Sequence, residues 1–174
     1  MRLIRCLVLV PVVTLSCSQS PKPSQRQAVA GTCGALRSLF VEAGDCRNSA
    51  VGAADEASKA WAQHKERPAD PADKAHSLAG QALAWCKAES RAHTRTGASV
   101  VPEAAAPGSK LAALQTRAAA IAGSQSGCDT FSPVATDAYA AEVVAPMKAL
   151  FAKHDEEEKA LVEACDGVVN GLAE

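Results

Sequence analysis

Alanine repeated at helical intervals constrains this chain more than any other feature of its sequence. The 174 residues include 38 alanines, every one beyond Cys17. Alanine is the best helix former because its methyl group loses no rotamer freedom on folding. It also buries little area, so each alanine-rich face contributes modestly to a core. A bundle built this way must pack its backbones closely or add cross-links.

Five segments carry a helical period. The first covers roughly residues 26–43, with Val29, Cys33, Leu36, Phe40 and Ala43 on one face. Gly44 then reads as a C-terminal stop and Asp45 as the N-cap of a second helix. That helix covers roughly residues 46–67 and carries Cys46, Ala50, Ala53, Ala57, Ala60 and His64, with Trp61 beside them. Pro68-Ala69-Asp70-Pro71 ends it, and Asp70 caps a third helix with Pro71 at its first position. Ala75, Leu78, Ala82 and Trp85 line the third, with Cys86 at the edge, and it ends near His93. Residues 94–109 show no clear period and read as a loop. The fourth helix turns Leu111, Leu114, Ala118 and Ile121 inward, and the run from Gly123 to Gly127 breaks it. The last segment, roughly residues 133–172, turns in Val143, Met147, Leu150, His154, Leu161, Cys165, Val168 and Leu172. Pro146 inside it should kink or split the helix. No alternation of β-branched residues is long enough for a sheet. The expected fold is all-α, an up-and-down bundle of four or five helices stapled by disulfides, with no internal repeat or coiled-coil dimer seam standing out.

The N-terminus carries an address. Met1-Arg2-Leu3-Ile4-Arg5 is a short cationic start, and Cys6 to Leu15 is almost wholly apolar. A helix of ten residues reaches about 15 Å, well short of the roughly 30 Å hydrocarbon core. It is therefore a signal-peptide core and not a stable span. Thr14-Leu15-Ser16-Cys17 follows. The arrangement resembles the signal peptide and lipobox of bacterial lipoproteins, with Thr14 where that family most often has Leu or Val. The resemblance implies removal of residues 1–16 and lipidation of Cys17 as the new first residue. It implies a cell-envelope location, anchored through that lipid, and Ser18 in place of Asp implies the outer membrane facing the periplasm. Two acyl chains on one residue satisfy the two-signal requirement for stable anchoring. Residues 17–25 are polar and proline-bearing, a flexible tether. Residues 26–174 are then one domain.

Five cysteines follow Cys17: Cys33, Cys46, Cys86, Cys128 and Cys165. An exported domain lives where disulfides persist. With Cys46 opening a second helix and Cys86 late in a third, both lie near one end of the bundle. Cys33 and Cys128 share the opposite end. Cys33 and Cys46 are about 16 Å apart along the axis of such a hairpin, beyond disulfide reach. The expected bridges are Cys46–Cys86 and Cys33–Cys128, with Cys165 unpaired or substituting for one partner at the Cys46 end.

The remaining chemistry is mostly exclusion. Without Arg2 and Arg5 the chain has 16 Lys and Arg against 19 Asp and Glu, so no basic field exists to hold nucleic acid. Six aromatic side chains give little for a stacking platform. There is no Cys-x-x-Cys, no Cys-x-x-Cys-His, no Glu-x-x-His, no Gly-x-Ser-x-Gly and no phosphate loop. An enzyme therefore has no residues to stand on, no catalytic residue is assigned, and no cofactor is expected. No metal ligand is assigned either. The alternative ligand sets are His64 with His76, which flank the Pro68–Pro71 turn, and His154 with Glu158. The simpler reading of Asp155-Glu156-Glu157-Glu158-Lys159 is a solvated helix face, with His154 a polar interruption of the stripe. The expected role is an envelope interaction or structural module with an envelope protein partner. The alternative is a metal or small-ligand binding bundle.

Overall fold

The computed structural model of the protein describes residues 25–67, 72–99, 109–123 and 125–172. The expected leader, Cys17 and most of the expected tether lie outside the described residues, as do Asp70 and Pro71. The described chain forms four helices with no strand among them: α1 Gln25–Glu66, α2 Asp73–Ser99, α3 Lys110–Gly123 and α4 Ala145–Asn170. The expected all-α, up-and-down bundle is what forms. Two disulfides staple it, Cys33–Cys165 and Cys86–Cys128.

The first two expected helices are a single one of 42 residues. Gly44 and Asp45 lie inside it and end nothing. The reason is the buried face, which runs without a break through Val29, Cys33, Leu36, Phe40, Ala43, Arg47, Ala50, Ala54 and Ala57. These positions alternate in steps of four and three, the spacing of a bundle seam. A glycine inside a helix costs about 1 kcal/mol against alanine. Nine buried positions on one continuous face outweigh it.

The same alternation recurs on the other two long helices. In α2 it runs through Ala75, Ala79, Ala82, Cys86, Glu89, His93 and Thr96. In α4 it runs through Met147, Phe151, His154, Glu158, Leu161, Cys165 and Val168. Trp85, expected on the buried face of α2, is instead 44% exposed. The helix also continues past His93 to Ser99.

Pairings between helices fix the topology. Asp55 meets Lys148 and Arg37 meets Asp166, so α1 and α4 are antiparallel. Arg95 meets Glu42 and Glu89 meets Arg47, so α1 and α2 are antiparallel too. Helices α2 and α4 therefore run parallel. α3 begins with Ser109, whose Oγ accepts a hydrogen bond from the Ala112 N–H at 3.1 Å. With 14 residues it spans only about 21 Å. The rest of its column is filled by a 3-10 turn, Gln125–Thr130, and by irregular chain carrying Phe131, Ala135 and Tyr139 inward. A Cβ on Gly127 would stand 2.5 Å from Leu150 Cδ2, so glycine lets this turn lie against α4. Pro146 does not split the last segment, because helical backbone runs through Val144 and Ala145 into it. One π turn, Ala140–Val144, precedes α4, and the Ala145 N–H donates to the Ala140 carbonyl. The widened turn makes room for a proline ring that has no N–H to give.

The interior divides into two apolar clusters. Ala50, Ala54, Ala57, Ala75, Ala79, Ala82, Cys86 and Cys128 belong to the one at the α1–α2 turn, with Tyr139, Met147 and Phe151. Val29, Cys33, Leu36, Phe40, Leu114, Ile121, Leu161 and Cys165 belong to the other. Each cluster holds one disulfide, and buried charged groups lie between them.

The expected bridges Cys46–Cys86 and Cys33–Cys128 are corrected by this geometry. Because α1 is continuous, Cys46 lies midway along it and not at a bundle end. It is unpaired and buried. Cys33 lies across from Cys165 on antiparallel α4, with their Cα atoms 5.8 Å apart. Cys128 lies past α3, in the cluster nearer the α1–α2 turn, and meets Cys86 at 5.7 Å. Both separations suit a disulfide.

Candidate functional site

Between the apolar clusters the seam positions change character. α1 supplies Arg47, α2 supplies Glu89 and His93, and α4 supplies His154 and Glu158. All five are buried, with Glu89 fully enclosed. On each of α2 and α4 the acid and the imidazole are four residues apart, hence one turn apart on one face. The order is reversed between the two helices. Because those helices are parallel, Glu89 stands level with His154, and His93 with Glu158.

The contacts follow that crossing. His154 Nδ1 lies 2.8 Å from Glu89 Oε1. His93 Nε2 lies 2.5 Å from Glu158 Oε1 and 3.5 Å from Glu89 Oε1. Arg47 enters from α1 and joins both levels. Its Nη1 and Nη2 donate to Glu158 Oε1 and Oε2, each at 2.7 Å. Nη1 also donates to Glu89 Oε1 at 3.1 Å. Nη2 reaches the exposed Asp155 at 2.6 Å, at the rim of the layer. The two imidazole rings meet edge to face, 4.9 Å between centroids.

Charge holds the layer together. Burial alone would drive Glu158 toward its neutral form. The hydrogen bonds from His93 and Arg47, with their positive charges, outweigh this and hold its carboxyl below the usual range. Burial would likewise weaken the Arg47 cation. Glu158, Asp155 and Glu89 more than offset that, so the guanidinium is held still more firmly in its charged form. Cys46, next in sequence, responds in the opposite sense. Burial and the nearby charges of Glu42, Glu89 and Asp45 raise its thiol, which keeps it protonated and a poor nucleophile.

Satisfaction is incomplete. Glu89 Oε2 and His93 Nδ1 are buried with no hydrogen-bond partner, as is the Thr96 hydroxyl one turn along. Such groups are uncommon in protein interiors, and functional sites are one place where they occur.

The sequence-derived candidates fare differently. His154 and Glu158 belong to this layer, so the reading of residues 155–159 as a solvated face holds for Asp155, Glu156 and Lys159 and is corrected at Glu158. Asp155 is exposed as expected, but Glu158 sits on the seam and is buried against α1 and α2. Their partners Glu89, His93 and Arg47 were not anticipated. His64 and His76 come together elsewhere, around the Trp61 indole near the α1–α2 turn. His76 stacks on it at 5.6 Å and His64 is tilted at 5.4 Å. Trp61 Nε1 is itself tied to Asp137 at 2.8 Å. Among the described residues, the cluster of three or more groups able to converge on one metal ion is Glu89, His93 and His154. No known protein family, curated protein or solved structure matches this chain.

Proposed function

We propose that this protein is a lipid-anchored module of the bacterial cell envelope. In this reading Cys17 carries the lipid, and the helical bundle stands off the membrane on the short tether as an interaction or structural element. The observation that carries it is the pair of long-range disulfides. Four of the five cysteines beyond Cys17 are consumed in Cys33–Cys165 and Cys86–Cys128. Bridges of this kind persist in exported proteins and are rare in a reducing cytosol. This supports the export implied by the leader.

The dimensions suit a projecting module. α1 follows the tether directly, and its 42 residues span about 63 Å. A lipid at the tether's start would leave the α1–α2 turn as the distal end, with Trp61, His64, His76 and Asp137 near it. No helix among the described residues is long and apolar enough to cross a membrane. In this reading attachment rests on the lipid alone.

Intact mass measurement on the protein from envelope fractions, before and after reduction, tests the proposal. The expected species begins at Cys17, carries an acyl mass, and gains two hydrogens for each of two bridges on reduction. An unacylated chain, or one whose mass is unchanged by reduction, would overturn it. Affinity capture from envelope extracts bears on the interaction role, and repeated failure to recover a partner would leave only the structural one.

A further inference from the structure

We propose that Glu89, His93, His154 and Glu158 form a binding site for a divalent transition-metal ion of the zinc type, its charge matched by the two carboxylates while Arg47 and Asp155 offset each other. This goes beyond the envelope reading and does not depend on it. The donor set is two imidazole nitrogens and two carboxylates, the mixture that zinc and its neighbours accept. One ligand atom each from Glu89, His93 and His154 already lies within 4.8 Å of the others. A tetrahedral ion with bonds of about 2.1 Å needs ligand atoms about 3.4 Å apart. The 3.5 Å between His93 Nε2 and Glu89 Oε1 meets that now. The contacts of 2.8 and 2.5 Å, from His154 to Glu89 and from His93 to Glu158, must open by less than the width of an atom.

The unpartnered oxygen is the second and independent sign. Glu89 Oε1 is shared among Arg47, His154 and His93, whereas Oε2 is fully buried and bonded to nothing. A buried carboxylate with one oxygen free of any partner, and the other beside two imidazoles, is an incomplete arrangement, and a cation completes it.

Charge gives the same result. With both imidazoles neutral, Arg47 faces the carboxylates of Glu89, Glu158 and Asp155, and the layer is short by two positive charges. Either two imidazolium protons or one divalent ion brings it to neutrality. Arg47 Nη1 also holds Glu89 Oε1 and Glu158 Oε1, so the ion has to displace that nitrogen or take Glu89 through Oε2, while Nη2 stays on Glu158 Oε2 and Asp155 Oδ1. An imidazole ligates a metal through a nitrogen free of its proton, so protons compete with the ion for this site. An open groove between α1 and α4, lined by Gly44, Arg47, Asn48, Phe151 and Asp155, gives a route from solvent to Arg47.

The test uses the mature chain with both disulfides intact, titrated with zinc and with cobalt as a visible probe. One ion per chain, tetrahedral cobalt absorption and proton release are expected, with weaker binding at lower pH. H93Q and H154Q should each weaken binding by more than the roughly 100-fold that loss of an outer partner costs. H64Q and H76Q should leave it unchanged. Imidazole nitrogen NMR of the wild type keeps the test decisive should H93Q and H154Q misfold. The resonances that remain after those of His64 and His76 are assigned, from the H64Q and H76Q spectra, must shift with zinc. No binding, or binding that disappears in H64Q or H76Q while the buried imidazoles stay unmoved, would overturn the proposal.

Discussion

Arg47 and Glu158 face each other across the bundle through two parallel hydrogen bonds of 2.7 Å, each guanidinium nitrogen on its own carboxylate oxygen. The pair is nearly dry, with both side chains under a tenth exposed. Bidentate pairs of this kind fix direction as well as charge. Here the pair sets the register of α1 against α4 at the one level where neither apolar cluster does so.

Removing one partner from such a pair leaves the other buried and uncompensated. Arg47→Met should therefore destabilise the protein by about 3–5 kcal/mol. Combining it with Glu89→Gln and Glu158→Gln removes the stranded charges and should recover part of that loss. Urea denaturation of the single and triple variants measures both. A loss within the roughly 0.5 kcal/mol typical of surface changes would show that the layer does not hold the helices together.

The depressed Glu158 carboxyl makes a signed prediction for pH. Its proton binds more weakly in the folded protein than in the unfolded chain, where the ordinary value is 4.5. The associated stability is fully present above that value and is lost as pH falls through the lower folded one. The urea midpoint should therefore decline in acid below about pH 4.5. Glu158→Gln should start lower at neutral pH and decline less steeply. An equal acid slope in the two proteins would rule out this carboxyl as a source.

How much of this was legible depends on what the seam was expected to contain. The faces of α3 and α4 and the helix-only architecture follow from apolar spacing. Arg47, Glu89 and His93 were missed because they occupy core positions with polar side chains, so an apolar period breaks at each of them. Reading the four-three alternation straight through polar residues recovers all three. It runs from Ala43 through Arg47 to Ala50 on α1, and from Cys86 through Glu89 and His93 to Thr96 on α2. A single missed position had wide consequences. With Arg47 off the stripe, Gly44 and Asp45 looked like a helix end, α1 became two helices, and every cysteine height shifted. Which ends meet in space is tertiary information that spacing alone does not carry.

The corrected heights lead to a thiol prediction. Peptide mapping without reduction should recover Cys33 linked to Cys165 and Cys86 linked to Cys128. Cys46 should resist alkylation in the folded protein, where it is buried and its thiol is raised, and react on denaturation. Removing the bridge that spans 132 residues should cost about 5 kcal/mol at most, and the one spanning 42 about 4, by chain entropy. Recovery of a Cys46–Cys86 peptide would contradict the continuous α1.

Gly44→Ala separates the two versions of α1 by the sign of its effect. At a helix terminus in the left-handed conformation, glycine is favoured and alanine destabilises. Inside a helix, alanine restricts the unfolded chain and favours the helical backbone, which stabilises by about 0.5–1 kcal/mol. Gly44 lies within α1, and a Cβ there would meet only Arg47 Nη2 at an ordinary 3.7 Å. The variant should raise the urea midpoint and leave the disulfide map unchanged. The added methyl also borders the groove that leads to Arg47, so slower metal uptake at unchanged affinity should accompany the gain. A lowered midpoint would mean that the chain turns at Gly44 after all, and the layer built on Arg47 would have to be redrawn.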